Sequence, residues 1–397
     1  MNKKLRIKKY VSLLICMGCI FIMFQCNKGD FFEDRLETDP IGAIGSDASP
    51  SIAFISRITD NSPDWSLCGI DTLENVIRKI VNKTVACQKP VLSHSGTRLL
   101  FTATEFKYYN DENNTFHGSS QYELYIADID GTALVTLIDH IKHNEDGGIG
   151  SVAWSPDDSQ IVYVRSYDNY WDKSCLILHN ISDKTQTILQ TEGNVCTPKF
   201  SPNGKQIAYC TTVENKSGIT YIHYMNDHHI YKMDADGKNN QLIIKNASSP
   251  QWSPQGDKIM FISKGKDGSS QISVANADGS NQKQLTSSVD PGWWDTGFPR
   301  DGNSDPHWTP DGKKIVYVSH ENEKPEIFIM NVDGSEKTRL TKAEFSDSSP
   351  EITPDGKQIL FNSWQSDMMN WGIFVMKIDG NDRRMLFKEG SYPVACK

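Results

Sequence analysis

Four chemically different side chains occupy one position of a recurring sequence pattern. Lys199, Gln251, His307 and Glu351 each directly follow a proline, and the corresponding positions elsewhere hold Val91, Ala153 and Val394. An ammonium, an amide, an imidazole and a carboxylate offer hydrogen bonding and proton exchange to whatever meets them. Each faces away from the Trp or Phe that precedes the next turn. Two placements fit: lining a central channel as a polar funnel, or buried between neighbouring elements and paired there. A second group is Trp293, Trp294 and Phe298 in "SSVDPGWWDTGFPRDGNS", residues 287 to 304. Large aromatics in a Gly- and Asp-rich loop stack on sugar rings or anchor a partner protein, or else plug the scaffold locally.

Signatures of catalysis and metal binding are sparse. No G-x-S-x-G is present, and "HENEK" at His320 lacks the second histidine of a zinc helix. "MDADGKNN" at Met233 lacks the closing glutamate of a calcium loop and reads as a turn. His223, His228 and His229 with Asp227 are candidate rim ligands, but neighbouring histidines in a strand point to opposite faces. The expectation is no catalytic residue, no metal and no cofactor.

The scaffold that positions these residues is a repeat. "SDPHWTPDGKKIVYVS" at Ser304 recurs as "SPQWSPQGDKIMFIS" at Ser249, "CTPKFSPNGKQIAYC" at Cys196, "SVAWSPDDSQIVYV" at Ser151, "SSPEITPDGKQILFNS" at Ser348 and, more weakly, "KPVLSHSGTRLLFTA" at Lys89. Each copy is followed by an apolar strand running into a turn, as in "HIYKMDADGK" and "EIFIMNVDGS", and then by a short fourth strand such as "KTRLT". The turn prolines Pro156, Pro202, Pro254, Pro310 and Pro354 are spaced by 46, 52, 56 and 44 residues. That period suits units that stack around an axis because none buries its faces alone. Strands such as "KIVYV" are apolar on both parities, as expected when neighbours cover both faces.

One copy is incomplete. "PSIAFISR" at Pro50 and "LCGIDTLENVIRKI" supply a second, third and fourth strand without a first, while the C-terminal "YPVA" matches the missing opening. The fold class expected is all-β: a seven-bladed β-propeller of four-stranded antiparallel blades, the first blade completed by the C-terminal strand. Such closure removes free sheet edges.

The pattern P-x-W-S-P-D-G-x-x-I-x-F, followed by I-Y-x-M-D-x-D-G and L-T, resembles the tandem WD-like repeat of TolB and its relatives over residues 50 to 396. The resemblance implies a propeller without implying the Tol system, since the α/β domain that precedes the TolB propeller has no counterpart here. In this strand order the long connections share one face: residues 105 to 122, 166 to 173, 212 to 229, 287 to 304 and 363 to 371. Binding is expected there.

At the N-terminus, Lys3, Lys4, Arg6, Lys8 and Lys9 precede an apolar run over residues 11 to 24, a pattern too short to span a bilayer and typical of export. Cys26, with Asn27 after it, resembles the lipidated cysteine of a bacterial lipoprotein signal; Cys19 is the rival. The expected domains are 1–25 signal peptide, 26–49 linker and 50–397 propeller. Removing the five basic residues takes the net charge from −9 to −14, which disfavours nucleic acid and anionic membrane faces as partners. Cys196 and Cys210 fall opposite each other across the "SPNGK" turn, as two buried thiols in the favoured reading or as a cross-strand disulfide.

These readings converge on a lipid-anchored protein of the bacterial cell envelope, outer membrane or periplasm, that binds a protein or a glycan without chemistry of its own. The alternative is a carbohydrate-active enzyme, because some propellers resembling this one are metal-assisted lyases of oligogalacturonate type.

Overall fold

A computed structural model describes residues 15–16, 19–20, 52–56, 66–71, 76–80, 90–110, 116–142, 148–166, 174–190, 193–212, 228–266, 268–287, 302–321, 324–342, 345–364, 371–388 and 390–396. Contacts divide the chain into Met1–Gly45 and Ser46–Lys397. In the first unit the described residues are two short antiparallel strands, Ile15–Cys16 paired with Cys19–Ile20.

The second unit is seven four-stranded antiparallel sheets. Blade 1 takes its inner strand, Gly390–Ala395, from the C-terminus and continues with Ile52–Ser56, Ser66–Asp71 and Val76–Lys79. Blade 2 comprises Val91–Leu92, Arg98–Asn110, Phe116–Asp128 and Val135–Lys142, and blade 3 comprises Ile149–Trp154, Gln160–Ser166, Ser174–Asn180 and Gln186–Gln190. Blade 4 is Asn194–Phe200, Gln206–Thr212, His228–Asp234 and Gln241–Ile244; blade 5 is Ala247–Trp252, Lys258–Lys264, Ser270–Asn276 and Lys283–Gln284. Blade 6 is Asn303–Trp308, Lys314–Ser319, Glu326–Asn331 and Thr338–Arg339; blade 7 is Ser346–Ile352, Gln358–Trp364, Trp371–Lys377 and Arg384–Lys388.

The strands apolar on both parities explain the ring. Along Lys258–Lys264, Ile259 and Phe261 pack toward blade 4, while Met260 and Ile262 pack toward blade 6. Gln160–Ser166 divides in the same way, Ile161 and Tyr163 toward blade 2, Val162 and Val164 toward blade 4. The core among the described residues is therefore seven clusters, each shared by two neighbouring blades. Ile52, Phe54 and Ala395 of blade 1 meet Leu360, Ile373 and Val375 of blade 7, which closes the circle.

Turn chemistry seals one face. In the turns between first and second strands, the Ser or Thr before the proline accepts the N–H five residues on, as in Gln206 N to Ser201 Oγ at 3.0 Å and Lys314 N to Thr309 Oγ1 at 3.0 Å. In the Asp-Gly turns an aspartate Oδ1 accepts the N–H two residues on: Lys238 to Asp236 at 3.1 Å, Ser335 to Asp333 at 2.9 Å. Side-chain donors, the Lys238 ammonium on Asp236 and the Ser280 and Ser335 hydroxyls on Asp278 and Asp333, and then these N–H groups favour the ionised carboxyl and hold all three below the usual range. The Ser155 and Ser159 hydroxyls hold Asp157, in a turn between first and second strands, at about 2. Adjacent turns also touch. A methyl at Gly256 would lie 3.4 Å from Pro202. Blade 2 has His94 where later turns have proline, which leaves backbone N–H groups to satisfy. Asp158, standing where other blades have glycine, accepts from His94 N at 2.7 Å and Ser95 N at 2.8 Å.

The structure corrects two readings. Cys196 and Cys210 pair in register and form a disulfide, with Cα atoms 5.1 Å apart, rather than two thiols. Much of residues 105 to 122 is ladder rather than loop: Arg98–Asn110 and Phe116–Asp128 stay paired from Arg98↔Asp128 to Asn110↔Phe116.

His179, the last residue but one of its strand, is 1% exposed, with no hydrogen-bond partner at either ring nitrogen among the described residues. The same place before the turn holds the buried Met233, Met330 and Met376 in other blades.

Two outcomes follow. A methyl added at Gly279 (φ +84°) would collide with the carbonyl oxygen of Ile243, whereas one at Gly268 (φ +89°) would meet the flexible Lys264 stem at 3.4 Å. Chemical denaturation should show Gly268→Ala costing about 1–2 kcal/mol, the left-handed strain alone, and Gly279→Ala clearly more. Burial pushes the His179 imidazole below its ordinary 6.5, with Asp183 offsetting part. The unfolded chain therefore takes up this proton first, and stability fully present above pH 6.5 is lost as pH falls toward the folded value. Relative to His179→Met, wild type should lose up to about 1.4 kcal/mol per pH unit in that window; parallel curves for the two proteins would contradict it.

Candidate functional site

The inner strands pack side by side around the axis, and those of blades 1 and 4 to 7 are bulged at a proline. Thr197, Ser249, Asp305, Ser349 and Tyr392, each directly before a proline, lie at φ between +44° and +54°. A residue before proline ordinarily prefers extended backbone. Here the bulge sets two inner-strand residues opposite one partner, between Cys196 and Lys199, Ser248 and Gln251, Ser304 and His307, and Ser348 and Glu351. The sequence signal of this bulge is a residue such as Thr197, Ser249, Asp305 or Ser349 directly before a proline within the inner strand.

That following residue reaches toward the next blade. Gln251 Nε2 donates to the carbonyl oxygen of Pro306 at 2.7 Å. His307 Nδ1 lies 4.0 Å from Glu351 Oε2, with side chains 28% and 24% exposed. Lys199 is exposed on blade 4. Val394 and Ala153 are buried and Val91 is half-buried. Blades 4 to 7 thus present a polar arc, and blades 1 to 3 an apolar one. The arc sits one residue from the end of each inner strand, beside the short turns. Trp293, Trp294 and Phe298, with Cys26, lie outside the described residues, as do His223 and Asp227. The connection that holds the three aromatics joins the last strand of blade 5 to the first of blade 6, at the ends of those strands away from the short turns.

The other face differs in build. Second strands elsewhere are five to seven residues long, against thirteen for Arg98–Asn110. At about 3.3 Å per residue the blade 2 hairpin runs roughly 20 Å further than its neighbours. Across the ring the same face is braced by buried charge. Asp347 is fully buried, its Oδ1 3.0 Å from Arg383 Nη2, which also donates to Ser363 Oγ at 2.8 Å. The Arg383 guanidinium lies 4.5 Å from the ring centre of Phe345 and 5.0 Å from that of Phe374. Burial raises the Asp347 pKa, with Arg383 offsetting part. Glu326, also fully buried, has Arg339 Nη1 at 3.6 Å from Oε2. Such pairs lose most when one partner is removed, so they fix the bases of blades 6 and 7. Among the described residues no group of three or more His, Cys, Asp or Glu is placed to hold a metal.

Known proteins share this architecture. A family model for the TolB beta propeller domain matches residues 95–293 and 296–396. The Tol-Pal system protein TolB of Thioalkalivibrio sulfidiphilus is 30% identical over 86 residues, 21% of this chain and 17% of that protein. That of Hahella chejuensis is 32% identical over 87 residues, 21% of this chain and 18% of that protein. The chain thus matches less than a fifth of the length of these relatives. Among solved structures, the propeller domain of the trilobed protease from Pyrococcus furiosus, described as having an open velcro topology, superposes with a TM-score of 0.60 at 13% identity over 86% of this chain and 94% of that one. An oligogalacturonate lyase in complex with manganese gives 0.58 at 13% identity over 85% of each chain. At these identities the likeness is one of fold alone.

Proposed function

Because the chain belongs to the TolB β-propeller family, we propose that it is a cell-envelope module that binds a protein partner through its hairpin-bearing face. The observation that carries this reading is the contrast between the two faces. One is closed by uniform turns that satisfy their own hydrogen bonds and press against one another. The other bears the long blade 2 hairpin and is braced by the buried Asp347–Arg383 pair; in this reading the connection with Trp293 and Trp294 adds to its contact area. A rigid ring presenting irregular extensions on one side suits recognition, since the scaffold loses little freedom on binding. In this reading Cys26 carries a lipid that tethers the propeller to its membrane, and the relatives named for the Tol-Pal system favour a protein partner over a glycan.

The test is cross-linking and pull-down from envelope extract with four forms of the full chain. These are wild type, Trp293→Ala with Trp294→Ala, a hairpin in which residues 107–119 are replaced by Asn-Gly, and Lys238→Ala with Lys357→Ala on the short-turn face. A protein captured by wild type and by the lysine variant, and bound at least about tenfold more weakly (~1.4 kcal/mol) by either altered form of the other face, supports the reading. Equal capture by all four contradicts it, and a glycan-array signal without a captured protein transfers the role to a carbohydrate. Release of unsaturated products from a uronic-acid polymer would establish the lyase instead.

A further inference from the structure

The disulfide in blade 4 is placed where the fold does not call for one. Cys196↔Cys210 is the last regular pair before the bulge. The same register position holds Ser248↔Ile262 in blade 5, Ser304↔Val318 in blade 6 and Ser348↔Asn362 in blade 7. Those blades close without a covalent bond, so the ring geometry does not require this one.

Its two sulfurs are unequal. Cys210 is 1% exposed and sits in the core between blades 4 and 5, whereas Cys196 is half-buried on the axial strand. The Thr197 hydroxyl, brought round by the left-handed backbone of the bulge, lies 3.1 Å from Cys210 Sγ. A hydroxyl donating to that sulfur stabilises it as a leaving thiolate. Two residues beyond Cys210 the strand ends at Thr212, at the root of the connection over residues 213–227. The bond thus ties the axial strand to the base of a connection on the hairpin-bearing face.

We propose that Cys196–Cys210 is a thiol–disulfide exchange site for a dithiol reductant. One thiolate of the dithiol attacks Cys196 Sγ, the Cys196–Cys210 bond breaks, and Cys210 departs as a thiolate held by the Thr197 hydroxyl before taking a proton from solvent. The second thiol of the dithiol, deprotonated, then attacks its own sulfur in the mixed disulfide. Cys196 is released as a thiolate that is protonated, and the dithiol leaves oxidised to its disulfide. Two electrons have moved to the protein, and the blade 4 inner hairpin is left with the non-covalent closure of its neighbours. Cys68, Cys175 and Cys396 are buried thiols outside this exchange; burial pushes the Cys396 thiol up to about 12.

The experiment treats the native full chain with dithiothreitol at pH 7.5, quenches with an alkylating agent over time, and locates the label by peptide mass mapping. The expected result is that Cys196 and Cys210 are labelled at least about tenfold faster than Cys68 and Cys175, which report global opening. The circular dichroism of the sheets should be unchanged. Thr197→Val should slow the exchange several-fold. The variant Cys196→Ser with Cys210→Ile, which installs the blade 5 pair, should fold and reproduce the amide exchange of the reduced protein at residues 194–197 and 208–212. Labelling that keeps pace with Cys68 and Cys175, an unchanged rate in Thr197→Val, or a double variant that fails to fold would each overturn the proposal.

Discussion

Every blade of this protein is apolar on both of its faces, and the rest of the structure follows from that constraint. A strand such as Lys314–Ser319 gives Ile315 and Tyr317 to one neighbour and Val316 to the other, so no sheet is stable until both sides are covered. Seven shared clusters replace a single centre, and each holds only if the circle has no gap. The chain resolves its own ends by lending the last strand to the first blade, where Ala395 joins one cluster and Cys396 the next.

Against this uniform frame the irregularities stand out. The short turns follow one chemistry, and where it lapses at His94 a neighbour compensates through Asp158. Departures on the opposite face have no such local compensation: a hairpin of double length in blade 2, two buried carboxylate–arginine pairs in blades 6 and 7, a disulfide in blade 4. Extensions on one side and uniformity on the other are what a recognition surface on a rigid support requires.

Much of this was legible in the sequence because a propeller writes the same physical solution several times. The phrase around Pro310 and its copies gave blade count and strand order, and the C-terminal Tyr392-Pro393-Val394-Ala395 marked the closing strand. Other features were hidden for definite reasons. Residues 105 to 122 hold three Asn, two Ser and a Gly and look like a loop, but tyrosines and phenylalanines among them favour the ladder that forms. Spacing placed Cys196 opposite Cys210 without stating whether a bond joins them, since serine and isoleucine occupy the same pair one blade later. The polar residues after each proline were recognisable as a set. Their mouth was not, because a bulge turns the strand at that point and places them beside the short turns.

Closure by the C-terminal strand is the claim on which the others rest, and native-state amide hydrogen exchange tests it directly. The account predicts that the paired amides of Gly390–Ala395 and Ile52–Ser56 exchange as slowly as those of Lys258–Lys264 in blade 5, through global unfolding alone. Exchange of Gly390–Ala395 at the rate of an unstructured tail, with blade 5 still protected, would contradict it.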